Sequence, residues 1–357
     1  MQGKPKYEPT PPFGVIDCFG KGFETVVSQI PLITIPLLLD FFLWLGPRLS
    51  VSSLFDNVTS IVDVENDIPT EQIRMIELSL DNLAESLNLF SFLSTSPLGV
   101  PSMMVSKLAL LSPFGEGLLI PVNNWFSLSI ITIVVSLVGL LLGVIYFTFI
   151  GRGTLPEDLR QDDMDVIENV WISWVRLVVF SVAIVAAMIA FGFIVSLVAG
   201  LASILSSSVS GLVVSLGVAV WVWGLFFVAF TVHGIVMDNY PINAAVRNSL
   251  LIVRTNMPSV VGLFSLIVLL LWGLGYLWAM PSSESWVLAV GIVAHAFIAT
   301  GLYASTFHFY KDRLRWCTEI QSNTDVKTNI SSKKESTRMW GEKDGSEERK
   351  ENYKKED

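Results

Sequence analysis

Apolar runs long enough to cross a lipid bilayer constrain this sequence more than any other feature. Two of them follow one another near the C-terminal end, at residues 260–280 and 286–310. A helix rises about 1.5 Å per residue, so about 20 residues are enough to cross a hydrocarbon core of roughly 30 Å. The chain is also 52% hydrophobic and only 15% charged. The sequence therefore predicts a polytopic helical membrane protein and not a soluble domain.

Six apolar runs divide the chain. They lie at residues 28–46, 125–150, 177–205, 211–237, 260–280 and 286–310. Residues 47–124 form the one long connection between runs and carry nine acidic residues against Arg48, Arg74 and Lys107. We therefore expect an all-α protein with six transmembrane helices and one acidic extramembrane loop, inserted between spans one and two.

The distribution of basic residues predicts which way the spans run. Only three of the 23 lysine and arginine residues fall in the long loop, and the short loops 206–210 and 281–285 contain none. Basic residues favour the cytosolic side, most reliably in short loops. We therefore expect a multi-pass protein of the plasma membrane, with both termini in the cytosol and residues 47–124 outside.

An amphipathic segment precedes each pair of spans, at residues 13–30, 163–176 and 242–257. Apolar residues recur in these segments at helical spacing, which predicts helices that lie on the membrane surface. The first and third segments directly follow Pro12 and Pro241, and proline suits the start of a helix. We therefore predict three units, each an interfacial helix followed by a helical hairpin.

The two ends of the chain differ from its middle. Residues 1–27 are expected to form a cytosolic N-terminus that includes the first interfacial helix, and residues 28–317 the membrane domain. Residues 318–357 contain nine basic and ten acidic residues and almost no apolar ones. Such a segment cannot bury a core, so we expect a disordered cytosolic tail.

The third interfacial segment carries two basic residues, Arg247 and Arg254. We expect both at the level of the lipid headgroups, where each gains about 1 kcal/mol from anionic lipid. The apolar residues at helical spacing should face lipid or protein; they are Val246, Leu250, Val253 and Met257.

This segment also carries a resemblance. Residues 244–260 begin Ala-Ala-Val-Arg-Asn-Ser and lead into an apolar hairpin that ends in Tyr310-Lys-Asp-Arg313. The stretch 163–315 resembles the membrane domain found beside some prokaryotic glycerophosphodiester phosphodiesterases, and many related six-span proteins. The catalytic domain of that family, which supplies acidic and histidine residues for a metal, has no counterpart here. The resemblance therefore implies the membrane fold and not the activity.

The long loop contains two apolar elements. Residues 70–93 have the spacing of an amphipathic helix, and a second apolar patch lies at 103–111. The segment is too short to bury a large core, so we expect it to pack on the membrane domain or on another membrane protein. Asn57 begins a glycosylation sequon, which is used only if the source organism glycosylates proteins.

Span two contains Gly139 and Gly143, four residues apart. This spacing lets the backbones of two helices approach closely in lipid. It is typical of a dimerisation face and, more often, of packing against a neighbour in the same chain, which we favour.

Motifs for catalysis or cofactor binding are missing from the sequence. There is no Gly-x-x-x-x-Gly-Lys, no His-Glu-x-x-His and no Gly-x-Ser-x-Gly. Acidic residues cluster at 162–168, which indicates either a magnesium site or the first turn of a helix, where the helix dipole favours acids. No facing acidic cluster accompanies them. We therefore expect no catalytic residue, no cofactor and no metal, and the balanced charges of the tail indicate no nucleic-acid partner.

Asp40 and His295 are the strongly polar residues placed well inside the spans. Counted along the helices, Asp40 lies roughly 9 Å and His295 roughly 13 Å from the outer end of its span. An isolated carboxylate in hydrocarbon costs a few kcal/mol or more, so Asp40 needs a donor or water. We therefore predict an intramembrane polar pair, acting as a structural hydrogen bond or as a proton-coupled site. The alternative is an Asp40 wetted from the outer surface.

Two classes of function remain. The first is a non-catalytic scaffold, assembly factor or accessory subunit that contacts the bilayer and, through residues 47–124, other membrane proteins. The second is a transporter of lipid or small solutes with a groove between the hairpins. Transporters keep several ionisable groups within their spans, and here only Asp40 and His295 qualify, which favours the first class.

Overall fold

The computed structural model describes residues 11–54, 87–95, 98–105, 107, 111–156 and 163–353. Side chains are described up to residue 320, except those of residues 116 and 163–165. The Cα positions divide the chain into a large unit, residues 14–310, and a small unit that contains Phe13 and the chain from Lys311 onward.

The described chain contains nine α-helices. They are α1 (Val15–Ser28), α2 (Thr34–Leu45), α3 (Trp125–Gly153), α4 (Asp163–Ser203), α5 (Ser207–Val228), α6 (Thr231–Met237), α7 (Ile242–Thr255), α8 (Met257–Trp278) and α9 (Val287–Tyr353). Among the described residues, five helical segments are long and apolar enough to cross a membrane: α3, α4, α5 with α6, α8, and α9. The sixth is α1 with the helical stretch Ile30–Leu45, if this bent pair counts as one span. The protein is therefore an all-α, multi-pass helical membrane protein, which confirms the predicted fold class.

The first and third amphipathic segments are separate helices, as predicted. α1 is followed by a short 3₁₀-helix, Ile30–Ile33, and the axis bends by 98° where the two meet. Pro31 stands in the first turn of that 3₁₀-helix, where its missing N–H leaves no bond unmade. α7 likewise precedes α8, and its buried residues fall on one face.

The second amphipathic segment is not a separate helix. Residues 163–176 are the start of α4, which continues without a break to Ser203. No proline and no glycine occurs between Asp163 and Phe191, so nothing in the sequence interrupts the helix. At 41 residues, α4 is about 60 Å long, roughly twice the thickness of the hydrocarbon core. It must therefore tilt strongly or extend beyond the membrane.

Two ends of the large unit can be told apart by their contacts. At one end, Gln29 Nε2 donates to the carbonyl of Gly153 at 3.3 Å, and Thr25 Oγ1 lies 2.9 Å from His308 Nε2. We call this the terminal end. At the other, the indole N–H of Trp44 donates to the carbonyl of Ser283 at 2.8 Å. We call this the loop end, because the described residues of the connection between α2 and α3 lie there.

The described parts of the long loop contain short strands. β1 (Arg48–Ser50) pairs in parallel with β4 (Leu119–Pro121), with Arg48 opposite Leu119, so the two ends of the loop are joined. β2 (Leu111–Ser112) and β3 (Gly115–Glu116) form a hairpin in which Gly115 has φ +95°, a conformation that favours glycine.

Part of the loop belongs to the core of the membrane domain. Val100, Met103 and Met104 are buried in the same cluster as Leu39 of α2 and Val144 of α3. The patch predicted at 103–111 thus packs on the spans, through its first two residues. Backbone at this depth is tolerated only where protein covers it and satisfies its polar groups.

Of the predicted helix 70–93, the structure describes only the last residues. Leu89–Leu93 form a 3₁₀-helix, and the side chain of Asn88 accepts from the N–H of Phe90 at its start. Residues 70–86 of the predicted helix, together with Asn57, lie outside the described residues.

α9 is the central helix. In the most apolar part of α9, 56% of the residues are buried inside the protein. The corresponding share is only 6% for α4 and for α5 with α6, so most of their surface is available to lipid. Gly22 of α1 lets this surface helix approach α9, since a Cβ at Gly22 would lie 2.6 Å from the carbonyl oxygen of Gly301.

The small unit ties the start of the described chain to the end of α9. The N–H of Phe13 donates to Asp312 Oδ2 at 2.9 Å, and Arg313 Nη2 donates to the carbonyl of Phe13 at 2.8 Å. The helix runs on to Tyr353, through residues for which we predicted disorder. Lysine, glutamate and arginine have high helix propensity, so a charged tail can be helical without a core.

Candidate functional site

Asp40 is the centre of a polar site between α2 and the long loop. Its carboxylate is completely buried and accepts three hydrogen bonds, all from the loop. The hydroxyl of Ser102 and the N–H of Met104 donate to Oδ1, the latter at 3.1 Å, and the N–H of Met103 donates to Oδ2 at 3.2 Å. Hydrogen bonds to a charged acceptor are the strong ones, so this carboxylate fastens the loop to span one.

His295 does not share this site. It is buried in α9, and its Nε2 has no hydrogen-bond partner among the described residues. The structure records neither a hydrogen bond nor an ion pair between Asp40 and His295 in the part of the chain that it describes. The donors to the carboxylate come instead from residues 102–104 of the loop.

Lys107 makes a second connection between the loop and the spans. Its ammonium donates to the carbonyl of Ala279, at 2.7 Å, and to that of Pro281, just beyond the C-terminus of α8. Carbonyls at the C-terminal end of a helix lack partners within the helix, and the helix dipole also favours a cation there. Partial burial lowers the pKa of Lys107.

Gly139 and Gly143 of α3 face the loop, including its 3₁₀-helix Leu89–Leu93, and not another long helix. A Cβ on Gly139 would lie 2.6 Å from the carbonyl oxygen of Phe92, and one on Gly143 would lie 2.6 Å from the Cα of Gly99. The small residues therefore make room for loop backbone within the same chain. Of the two interpretations of their spacing, packing inside the chain is the one that these contacts favour.

The two basic residues of α7 are both exposed, Arg247 and Arg254. The buried positions of this helix are Ala245, Ser249, Ile252 and Val253. Of the four apolar residues expected on the inner face, Val253 is buried and the other three are half-buried. The contact face is therefore rotated toward the small residues, because these let α7 lie close to its neighbours.

Ser249 supplies hydrogen-bond partners for the backbone at the break between α5 and α6. Its hydroxyl donates to the carbonyl of Phe227 at 2.8 Å and accepts from the N–H of Phe230 at 3.1 Å. Both backbone groups lie where the helical hydrogen-bond ladder is interrupted. The surface helix α7 thus completes the fourth span.

We expect Ser249→Ala to lower the free energy of unfolding by about 1–2 kcal/mol, because a buried N–H and a buried carbonyl lose their partner. The measurement is thermal unfolding in detergent, followed by tryptophan fluorescence. Asn248→Ala, at the neighbouring half-buried position of the same helix, is the control. Equal unfolding midpoints for the two variants would contradict the role assigned to Ser249.

The other two histidines, unlike His295, hydrogen-bond to threonines. His233 Nε2 lies 2.7 Å from Thr306 Oγ1, and His308 bonds to Thr25. Among the described residues, no three histidine, cysteine, aspartate or glutamate side chains are grouped as a metal would require. The acidic side chains at 162–165 lie outside the described part of the chain.

Sequence reasoning missed Ser102, Lys107 and Ser249. The first two had weak signals: Lys107 is one of three basic residues in an acidic loop, and Ser102 precedes the apolar patch. Ser249 lies among apolar residues on an amphipathic helix, where a buried serine needs a partner.

Comparison of the chain with models of protein families, with curated proteins and with solved structures finds no match.

Proposed function

We propose that this protein is a non-catalytic integral membrane protein that serves as a scaffold, assembly factor or accessory subunit of a membrane complex. The observation that supports the proposal is the folded loop at the loop end. It is fastened to α2 by Asp40 and to the end of α8 by Lys107, and its strands join its two ends. A loop held in this way presents a fixed surface.

That surface is apolar. Its exposed large residues are Leu111, Phe114, Leu118, Leu119 and Ile120, of which Phe114 is 76% and Leu118 70% exposed. Exposed apolar patches beside polar residues are typical of surfaces that bind another protein or a membrane. We propose that another membrane protein covers this patch, while the bilayer covers α4 and α5.

We further propose that the protein lies in the plasma membrane, with the terminal end in the cytosol and the loop end outside. The proposal rests on the excess of lysine and arginine at the terminal end. Ser208, in the first turn of α5, and Ser282, in the connection between α8 and α9, are exposed at the loop end, so cysteines placed there should be labelled from outside. Labelling from the cytosolic side alone would reverse the orientation.

The test of the function is purification in native lipid followed by mass spectrometry. We expect a stoichiometric protein partner with the unaltered chain, and its loss with Phe114→Ser combined with Leu118→Ser. The variant should lose no more than about 1 kcal/mol of stability, because both side chains are exposed and Phe114 gives up only its edge contact with the ring of Trp286. Ser282→Ala, an exposed polar position at the same end, is the matched control. Purification without any protein partner from the native membrane would contradict the proposal.

Transport of lipid or small solutes through a groove is supported less. A transported proton or ion needs an intramembrane acid that is free to exchange. Asp40 is instead committed to three donors of residues 102–104, which suits a static role. A trapped solute in place of a protein partner would favour transport.

A further inference from the structure

A cleft opens at the terminal end, inside the bend between α1 and α2. Its volume is about 590 Å³, within the range of small-molecule pockets of roughly 300–1,000 Å³. One side is formed by residues 28–35 of the bend, and the other by Phe149 and Arg152 at the end of α3. The fully buried ring of Tyr146 also lines it, with its hydroxyl donating to Thr300 Oγ1 at 3.0 Å.

The lining separates into an apolar wall and a polar rim. Leu32, Ile35 and Phe149 supply the wall, while Ser28 and Arg152 stand on the rim. Arg152 belongs to the last turn of α3. The end of a spanning helix lies near the headgroup level of a bilayer, where a basic side chain meets lipid phosphates.

Exposed apolar side chains surround the cleft. Val27, Ile30 and Leu38 flank the bend, and each exposes more than 60% of its surface. Phe149 in the wall itself is 47% exposed. Apolar side chains exposed at this level of a membrane protein contact acyl chains, so a molecule can enter the cleft from the leaflet without crossing water.

We propose that this cleft binds one anionic glycerophospholipid of the terminal-end leaflet. The guanidinium of Arg152 holds the lipid phosphate, because its planar N–H donors match phosphate oxygens. The hydroxyls of Ser28 and Thr34 line the same rim, and the upper part of an acyl chain lies against Leu32 and Ile35. A scaffold does not require a bound lipid, so this site goes beyond the proposed function.

The experiment is native mass spectrometry of the detergent-purified full chain titrated with phosphatidylglycerol. Diacylglycerol with the same acyl chains tests whether the phosphate is needed, and inorganic phosphate as a competitor tests for a free-anion site. Arg152→Gln removes the charge, and Ile35→Trp fills the cleft while leaving the charge in place. Arg247→Gln is the matched control, since Arg247 is an exposed arginine of α7 outside the cleft.

We expect one phosphatidylglycerol to bind with an affinity about tenfold or more lower in Arg152→Gln, as for a lost charge-assisted hydrogen bond. Ile35→Trp should abolish this binding, Arg247→Gln should leave it unchanged, and diacylglycerol should bind weakly. Equal losses in Arg152→Gln and Arg247→Gln would show general attraction of anionic lipid and overturn the site. Equal binding of diacylglycerol, or displacement by inorganic phosphate, would overturn it as well.

Discussion

Asp40→Ala is expected to lower the free energy of unfolding by about 3–5 kcal/mol, the largest effect of any single substitution considered. The change leaves the hydroxyl of Ser102 and the N–H groups of Met103 and Met104 without an acceptor in a buried site. Each unsatisfied buried donor costs about 1–3 kcal/mol. Asp40→Asn keeps one oxygen and should lose less.

Two measurements check this prediction. Thermal unfolding in detergent, followed by tryptophan fluorescence, gives the loss of stability, and limited proteolysis of residues 98–107 reports release of the loop. Ser102→Ala removes one of the three donors and is the graded control, with an expected loss of about 1 kcal/mol. If Asp40→Ala were no less stable than Ser102→Ala, the carboxylate would not fasten the loop.

A double-mutant cycle decides whether Asp40 and His295 interact. Because the structure gives them no common bond, we expect the losses of Asp40→Asn and His295→Gln to add in the double variant within about 0.5 kcal/mol. A larger coupling would restore the predicted intramembrane pair.

Gly139→Ala is expected to lower the free energy of unfolding by about 1–3 kcal/mol, and Gly143→Ala by a similar amount. At both positions the added Cβ would meet backbone of the loop, which cannot rotate away as a flexible side chain can. At Gly139 the distances are 2.6 Å to the carbonyl oxygen of Phe92 and 2.9 Å to the Cα of Leu93. The loop must move out of the core, and the contacts of Asp40 weaken with it.

Gly200→Ala in α4 is the matched control. Nothing lies within 4 Å of a Cβ at that position, so the higher helix propensity of alanine should stabilise the protein by up to about 1 kcal/mol. Thermal unfolding compares the stability of the three variants, and light scattering gives their oligomeric state. A dimer lost in Gly139→Ala without loss of monomer stability would support the dimerisation face instead.

Local sequence was sufficient to place two of the spans closely, but not the first, predicted at residues 28–46, where the helix α2 begins only at Thr34. The predicted apolar runs 125–150 and 260–280 correspond to α3, Trp125–Gly153, and α8, Met257–Trp278, with ends that differ by no more than three residues. Amphipathic spacing and the flanking proline likewise placed α7. These predictions succeed because transfer of a 20-residue apolar segment into lipid depends on the segment alone.

The boundary at residue 176 shows where local pattern fails. A change from amphipathic to uniformly apolar sequence is a change of surroundings and not of backbone conformation. In α4 the helix passes through that change unbroken, since no glycine or proline stops it. At Gln29, by contrast, Pro31 follows closely and the axis turns by 98°.

Only the tertiary structure decided which groups meet in the core. The sequence determined that a carboxylate at residue 40 stands in an apolar run and needs donors or water there, because the composition of the run is a local property. It did not determine that those donors are 62 to 64 residues away, in a loop that packs beside Gly139 and Gly143. A hydrogen bond forms only within about 3 Å, and which backbone comes that close depends on how all the helices pack together.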